Sequence, residues 1–311
     1  MKIAQRLDNR AWAKAAPRIS VLIPFFRDDP APLLRALDEE AAGLGGAVEV
    51  VVLDDGGGDA SLASRIAATV EALALPARFV QLAANAGRAK GRNQLAAESR
   101  APFLLFLDSD MAPGGRDFLA THLAFADEDS FDVAFGGFSV PMGEITASHR
   151  LHRALALRGE CAEAAVRRLT PEKYVFTSNL LVRRAVFEAE AFDEDFTGWG
   201  WEDVEWGMRV ARRWRVAHFD NAAVHLGLDP PKVLASKYEQ SVGNFALVAE
   251  RHPEIVRNYP SYKVARLIKR TPLRSLWRAL FKRAALSAHA PLSARVAALK
   301  LYRAALYAEV V

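Results

Sequence analysis

The sequence of 311 residues contains a single cysteine, Cys161, so it has no intramolecular disulfide. A chain without disulfides fits a reducing compartment. No apolar stretch of signal-peptide type occurs between Met1 and Pro17. No run elsewhere approaches the ~18 apolar residues that a membrane-spanning helix needs. We therefore expect a cytoplasmic protein without a secretory signal or a transmembrane anchor.

The sequence also lacks a phosphate-binding loop of a known type. The glycine-rich turn Gly56-Gly57-Gly58 has neither the dinucleotide fingerprint nor the Lys-Ser/Thr pair of a P-loop. A Rossmann dehydrogenase is therefore not expected. A nucleotidyltransferase is also disfavoured, because the first strand is not followed by a glycine-rich loop that carries lysine or arginine.

Acidic residues are scarce at the C-terminal end. Residues 261–311 hold 11 lysines and arginines but one acid, Glu309, for a net charge of +10, whereas the rest of the chain has a net charge of −6. The overall composition, 51% hydrophobic and 25% charged, is that of a globular protein. The sequence therefore predicts an acidic body with a basic tail, which we place at 232–311 after a domain at 1–231.

The first part of the chain alternates apolar runs with helical patterns. Continuous apolar runs of this kind are typical of strands buried on both faces of a parallel sheet. The pattern predicts an α/β fold with a doubly wound, mainly parallel sheet. The predicted strands are 19–26, 48–53, 78–82 and 103–107.

Acidic residues follow two of these strands, Asp54-Asp55 after one and Asp108-Ser109-Asp110 after the other. Ligands of open α/β sheets bind at the carboxyl ends of the strands. Asp108 and Asp110, on alternate residues, can share one hard cation, although a strand-end turn would also explain them. Together with Arg88, Lys90 and Arg92, which suit phosphate, these acids predict a nucleotide-diphosphate site.

Four segments in register resemble the donor half of glycosyltransferase family 2 enzymes with a GT-A fold. They are Ile-Pro-Phe-Phe (23–26), Val-Val-Leu-Asp-Asp-Gly (51–56), Asn-Ala-Gly-Arg-Ala-Lys-Gly-Arg-Asn (85–93) and Leu-Asp-Ser-Asp (107–110). The resemblance implies a nucleotide-diphosphate sugar, with UDP as first choice, in a donor half that spans 18–127. Arg27 and Gly57-Gly58-Asp59 depart from the family pattern, which leaves the base open.

The resemblance also implies a role for each donor-site residue. Pro24 and Phe26 would line the base pocket, and Asp54 or Asp55 would hydrogen-bond the base. The remaining implied contacts are the diphosphate for Arg92, the ribose for Asp108 and the metal for Asp110.

The segment from Phe196 to Trp206 is the most specific in the acceptor half, 128–231. Its tryptophans suit stacking on sugar faces, and its glycines allow close approach of the backbone. Glu202 and Asp203 could instead be charges that complement a helix N-terminus, with the tryptophans in the core. The segment resembles the Gly-Trp-Gly-x-Glu-Asp motif of β-1,4-galactosyltransferases and of family 2 polymerases. That likeness implies acceptor or sugar contacts for Trp199, Gly200 and Trp201.

In those relatives the Asp of the pair is the base of an inverting transfer, so the resemblance assigns this role to Asp203, with Glu202 in support. GT-A enzymes often complete the metal shell with a histidine, which His225 matches in position; packing is its alternative role. An Asp-plus-His pair suits Mn²⁺ or Mg²⁺.

The basic tail contains a predicted helix at 232–251 and an amphipathic helix at 273–284 with one apolar and one cationic side. This pattern favours peripheral association with an anionic membrane at the inner face. Packing of the apolar side on the domain is the alternative. Nucleic acid is not indicated, because the aromatic residues do not lie among the basic ones.

The sequence therefore predicts an inverting, metal-dependent hexosyltransferase that acts on a glycan, polysaccharide or lipid-linked hydroxyl. The competing hypotheses are a nucleotidyltransferase and a non-catalytic sugar-nucleotide-binding or membrane scaffold protein.

Overall fold

The predicted apolar runs form the centre of the molecule. A computed structural model describes all residues from Met1 to Val311. The eleven strands are β1 (Ile3–Asp8), β2 (Ile19–Phe25), β3 (Val48–Asp54), β4 (Ala77–Leu82), β5 (Phe103–Phe106), β6 (Met111–Ala112), β7 (Val133–Phe135), β8 (Phe138–Ser139), β9 (Leu180–Arg183), β10 (Val216–His218) and β11 (Ala223–His225).

Eight strands form one sheet in the order β1-β4-β3-β2-β5-β9-β7-β10. Strands β4, β3, β2 and β5 run parallel, whereas β1 and β9 are antiparallel to their neighbours. Strands β6, β11 and β8 form a second, small sheet. The predicted α/β fold with a mainly parallel, doubly wound sheet is confirmed.

The helices lie on both faces of the large sheet and then continue as a C-terminal bundle. The longest of them is α9, with 21 residues. The helices are α1 (Ala31–Ala41), α2 (Ala60–Ala72), α3 (Arg88–Glu98), α4 (Phe118–Ala126), α5 (Arg150–Leu157), α6 (Ala164–Arg167), α7 (Arg184–Ala189), α8 (Glu202–Val210), α9 (Pro231–Arg251), α10 (Pro253–Val256), α11 (Pro260–Lys269), α12 (Arg274–Leu286) and α13 (Leu292–Tyr307). None of them is both long and apolar enough to cross a bilayer.

The C-terminal helices share a hydrophobic core with the acceptor half. Phe196 and Met208, from the segment around α8, belong to the same buried cluster as Phe245 of α9 and Tyr302 and Tyr307 of α13. The two faces of the large sheet have separate cores of 33 and 22 buried residues. The helices after residue 231 thus pack against the domain that carries the site.

The sequence also predicts a charged helix at 148–168 and an apolar strand at 174–182, and both are wrong in extent. The helix ends at Leu157, and only Ala164–Arg167 is helical after it. The strand is limited to Leu180–Arg183, and residues 171–174 form a short 3-10 helix. Strand β1 was not predicted.

Candidate active site

The parallel register brings the acidic strand ends together. Phe25, the last residue of β2, pairs with Asp54, and β2 lies between β3 and β5. Residues 54–55 and 108–110 therefore leave the sheet at the same edge. This is the edge at which parallel sheets bind ligands.

The two aspartates after β3 are buried and already accept hydrogen bonds from the protein. Asp54 accepts from the amide nitrogen of Gly57 (2.9 Å) and from Nε2 of Gln81 (3.0 Å). Asp55 accepts from the backbone of Ala86 (2.8 Å) and Gly87 (3.0 Å), and so fixes the turn before α3. Burial raises the pKa of Asp55, although these amides lower it in part. Oδ2 of Asp55 also accepts from Nδ2 of Asn85 (3.0 Å), so the oxygens with a further lone pair for a ligand are both of those of Asp54 and Oδ1 of Asp55.

The predicted base pocket lies at the end of β2. Pro24 is half-buried, and Phe26 is exposed. The Arg27 guanidinium lies 4.9 Å from the centre of the Phe26 ring and donates from Nε to the carbonyl of Gly57 (3.2 Å). Arg27 has a φ of 67°, a left-handed conformation that favours Gly or Asn. The position where the sequence departs from the family is therefore also one of backbone strain.

A buried network of ion pairs joins the donor half to α8. Arg92 is 1% exposed, and its Nη2 donates to Asp108 (2.6 Å) while Nη1 donates to Glu202 (3.3 Å). Arg88 also donates to Glu202, from Nε at 2.6 Å. The guanidinium of Arg92 is therefore held between two carboxylates, and the side chain of Arg88 is the more exposed of the two.

The network sets the charge of its carboxylates. Burial alone would raise the pKa of Asp108 and of Glu202, but the two arginines lower both below their usual values. Asp203 lies outside these hydrogen bonds. Burial, and then the charge of Glu202, raise the pKa of Asp203 to about 7. A carboxylate with such a pKa is suited to accept a proton near neutral pH.

Asp110 and His225 are brought together by the small sheet. His225 pairs with Met111 in the antiparallel β6–β11 ladder, and its Nε2 lies 3.2 Å from Oδ2 of Asp110. Burial lowers the pKa of His225, but the hydrogen bond with Asp110 and the charges of Asp110 and Asp108 together outweigh this and raise it. A Cβ at Gly227 would lie 1.9 Å from Oδ2 of Asp110, so only glycine fits beside this carboxylate.

This pair fits a divalent cation that the donor helps to hold. Two neighbouring ligands of an octahedral ion, each about 2.1 Å from it, lie about 3 Å apart, as the Asp110 and His225 atoms do. No group of three or more His, Cys, Asp or Glu residues could hold a metal by itself. The protein would therefore provide an oxygen and a nitrogen ligand, and the remaining ligands would come from the nucleotide or water.

The acceptor segment is held by helices of the tail. Trp201 has a φ of 77° and precedes α8, and Gly200 has a φ of 86°. Asn244 of α9 donates to the carbonyl of Gly200 (2.7 Å), and Trp201 Nε1 donates to the hydroxyl of Tyr307 in α13 (2.9 Å). Trp199 is half-buried, with its ring 6.3 Å from that of Tyr238. Both tryptophans thus have one side against the tail.

Tyr307→Phe should lower the free energy of unfolding by about 1–3 kcal/mol, because the half-buried Trp201 Nε1–H would lose its acceptor. Chemical denaturation of the full chain measures this. Tyr262→Phe, on the half-buried face of α11, is the matched control and should change stability by less than about 0.5 kcal/mol. In a double-mutant cycle with Trp201→Phe, the double variant should lose less stability than the sum of the two single variants, because both remove the same hydrogen bond. Strictly additive losses would contradict the contact.

Sequence reasoning missed four residues of this arrangement. Arg88 was noted only as a phosphate ligand, and its ion pair with Glu202 spans 114 positions. Gly227, Asn244 and Tyr307 carry no motif of their own. The only signal in the sequence was for Gly227, which lies two residues after the candidate ligand His225.

The comparisons with known proteins agree with this geometry. A family model described as glycosyl transferase family 2 matches residues 20–190, which is more than half of the chain. The chain belongs to glycosyl transferase family 2. No curated protein sequence gives a significant match.

Solved structures extend the likeness of this family 2 protein over the C-terminal helices. The mannosyltransferase PcManGT from Pyrobaculum calidifontis, in complex with GDP-Man and Mn²⁺, is 18% identical with a TM-score of 0.57, covering 97% of this chain and 89% of that one. TarS 1–349 of S. aureus is 18% identical with a TM-score of 0.51, covering 92% and 89%. A mycobacterial protein is 20% identical with a TM-score of 0.53, covering 77% and 76%. The family 2 chain therefore has a GT-A fold, as the sequence motifs predicted.

Proposed function

We propose that this protein transfers a sugar from a nucleotide-diphosphate sugar to an acceptor hydroxyl with inversion at the anomeric carbon. The observation that carries the proposal is that Arg92 joins Asp108, two residues before Asp110, to Glu202, the residue before Asp203. Two structural neighbours support the donor class, since one was solved with GDP-Man and TarS with UDP-GlcNAc.

The donor contacts follow the strand ends. Pro24 and Phe26 would line the base, Asp54 or Asp55 would accept a hydrogen bond from it, and Asp108 would meet the ribose. Because Arg92 is enclosed by carboxylates, it would position Asp108 and Glu202. The partly exposed Arg88, at the N-terminus of α3, would meet the diphosphate.

Asp110 and His225 would hold Mn²⁺ or Mg²⁺, which would neutralise negative charge on the diphosphate. Gly227 leaves the room that this carboxylate occupies, since a Cβ there would collide with Oδ2. Asp203 would accept the proton of the acceptor hydroxyl. The hydroxyl oxygen forms a bond to the anomeric carbon from the opposite side as the bond from that carbon to the diphosphate breaks. Trp199, Gly200 and Trp201 would form the acceptor side, which suits a glycan or a lipid-linked sugar.

Calorimetric titration of UDP and of GDP into the full chain, with Mn²⁺ and then with EDTA, tests the donor site. We expect one of the two to bind, and EDTA to weaken that binding at least tenfold. Asp110→Ala should bind the nucleotide with the same weak affinity in Mn²⁺ and in EDTA, equal to that of the parent in EDTA. Glu250→Ala, which removes an exposed acid of α9, is the control and should behave as the parent does.

The outcomes separate the parts of the proposal. Binding that EDTA and Asp110→Ala leave unchanged would overturn the role of the metal while keeping the donor site. Failure of UDP, GDP, CDP and dTDP under both conditions would overturn the donor site itself. Release of nucleotide from the matching sugar nucleotide, on addition of glycan acceptors, then tests the transfer.

A further inference from the structure

The orientation of α12 is the reverse of that expected for a helix packed on a water-soluble domain. Its cationic side faces the protein: Arg278 pairs with Glu309 (3.6 Å), and Lys282 pairs with Glu239 of α9 (2.7 Å). Tyr302 of α13 donates to the same Glu239 (2.6 Å). The only buried residue of α12 is Ala285. Phe281 and Leu286 pack with Ala285 on the core of the tail, and the ion pairs keep Arg278 and Lys282 on that same side.

The apolar side of α12 consequently faces outward. We define the outer apolar surface as four residues of this segment together with one of α11. Their exposed fractions are Leu267 65%, Leu273 69%, Leu276 50%, Trp277 43% and Leu280 46%. Trp277 stacks on the half-buried Phe281 with ring centres 6.1 Å apart, which fixes the indole at the surface. Contiguous exposed apolar groups of this kind mark an interaction site.

Leu267 of the outer apolar surface also lines a shallow depression on α11. Four cations line this depression with Leu267 and Tyr262; they are Arg257, Lys263, Arg266 and Arg270. All four are exposed, and the salt bridges of this region, those of Arg278 and Lys282, leave them without an acidic partner. An array of unpaired cations around an apolar centre complements anionic headgroups above an acyl layer.

We propose that the outer apolar surface and the depression beside it dock this protein on an anionic lipid bilayer. The apolar side chains would enter the headgroup–acyl boundary while the four cations meet lipid phosphates. A second copy of the chain fits less well, because a two-fold contact through this surface would bring the same cations against each other. The proposal goes beyond the transfer reaction and does not depend on it.

Docking here would place the acceptor side close to the lipid. Helix α12 packs on α9 and α13, and α13 carries the Tyr307 that holds Trp201. One layer of helices thus separates the bilayer-facing surface from the acceptor segment. Such an arrangement suits an acceptor that is itself anchored in lipid.

Cosedimentation of the full chain with vesicles tests the proposal. We expect binding to vesicles of equal parts phosphatidylcholine and phosphatidylglycerol, little binding to phosphatidylcholine alone, and release by added salt. The triple variant Leu276→Gln, Trp277→Gln, Leu280→Gln should lose binding. The control Met142→Gln, Leu169→Gln removes exposed apolar residues that are not part of the outer apolar surface and should bind as the parent does.

A second set of variants tests the cations. Arg257→Gln, Arg266→Gln, Arg270→Gln together should weaken binding about a hundredfold, whereas the charge-matched set Arg10→Gln, Lys14→Gln, Arg35→Gln should not. The nucleotide affinity of all these variants should equal that of the parent. A loss of vesicle binding is thereby distinguished from damage to the donor site. Equal sedimentation by parent and variants, or no sedimentation with either vesicle, would overturn the proposal. So would a concentration-dependent dimer that the apolar triple variant abolishes.

Discussion

Asp203→Asn should reduce sugar transfer by about 10²–10⁴-fold while leaving nucleotide affinity unchanged. The amide keeps the shape of the side chain but no longer accepts a proton. Because burial and Glu202 raise the pKa of Asp203 to about 7, its ionised form is unfavourable in the folded protein. Asn carries no charge and avoids the cost of ionising this buried group. The thermal midpoint of Asp203→Asn at alkaline pH should therefore equal or exceed that of the parent.

The same pKa fixes the pH dependence. The base must be ionised to act, so kcat/KM of the parent should fall as the pH drops below about 7, and the small residual activity of Asp203→Asn should not follow this limb. Stopped assays of nucleotide release over a pH series measure both. Glu250→Gln is the control for loss of an acid. Full turnover by Asp203→Asn would move the base to Glu202 or to another group.

Arg92→Met should lower the free energy of unfolding by about 3–5 kcal/mol, because Asp108 loses its closest cation and the buried Glu202 loses one of its two. The side chain of Glu202 is 2% exposed, and that of Asp108 would lose its 2.6 Å bond. Arg92 also lowers the pKa of Asp203, so its loss should move the acidic limb of kcat/KM to higher pH. Urea denaturation and the pH series give the two readouts.

Two further variants show whether the effect of Arg92→Met is specific. Arg35→Met removes an exposed arginine of α1 and should change stability by less than about 0.5 kcal/mol. Arg92→Lys keeps a positive charge but cannot reach both carboxylates with a planar fork, so it should fall between the parent and Arg92→Met. A cost of Arg92→Met no larger than that of Arg35→Met would mean that Glu202 and Asp108 are held by other groups.

The sheet was predictable because its strands are buried on both faces. Residues 48–54 are all buried, and a continuous apolar run is the direct signature of such a strand. Strand β1 has the opposite character: four of its six residues are exposed, and it adds to the edge of the sheet antiparallel to β4. Its pairing depends on the neighbouring strand more than on its own side chains, so the sequence contained little signal for it.

The donor-site residues could be listed from motifs, but their mutual contacts could not. The sequence places Arg92 near phosphate, yet its guanidinium lies between Asp108 and a glutamate 110 positions away. The pairing of β6 with β11, which brings His225 to Asp110, involves strands of two and three residues. Such short strands have no periodicity to predict.

The orientation of α12 shows the same limit. A period of 3.6 residues identifies an apolar side and a cationic side, but it does not say which side faces the protein. In the structure Phe281, Ala285 and Leu286 pack on the core of the tail. Lys282 and Arg278 lie on the same side of the helix, where they pair with Glu239 and Glu309.

The bond between Trp201 and Tyr307 joins residues that are 106 positions apart. On the ribosome, the strands that end in Asp54 and Asp108 emerge and can pack long before α13 is made. A nascent chain would therefore reach a stage at which the strand-end acids are assembled while the tryptophan segment still lacks its support. Support of the tryptophan segment would then arrive only with α13, and a chain halted between β11 and α13 would, under the proposed function, bind nucleotide without transferring sugar.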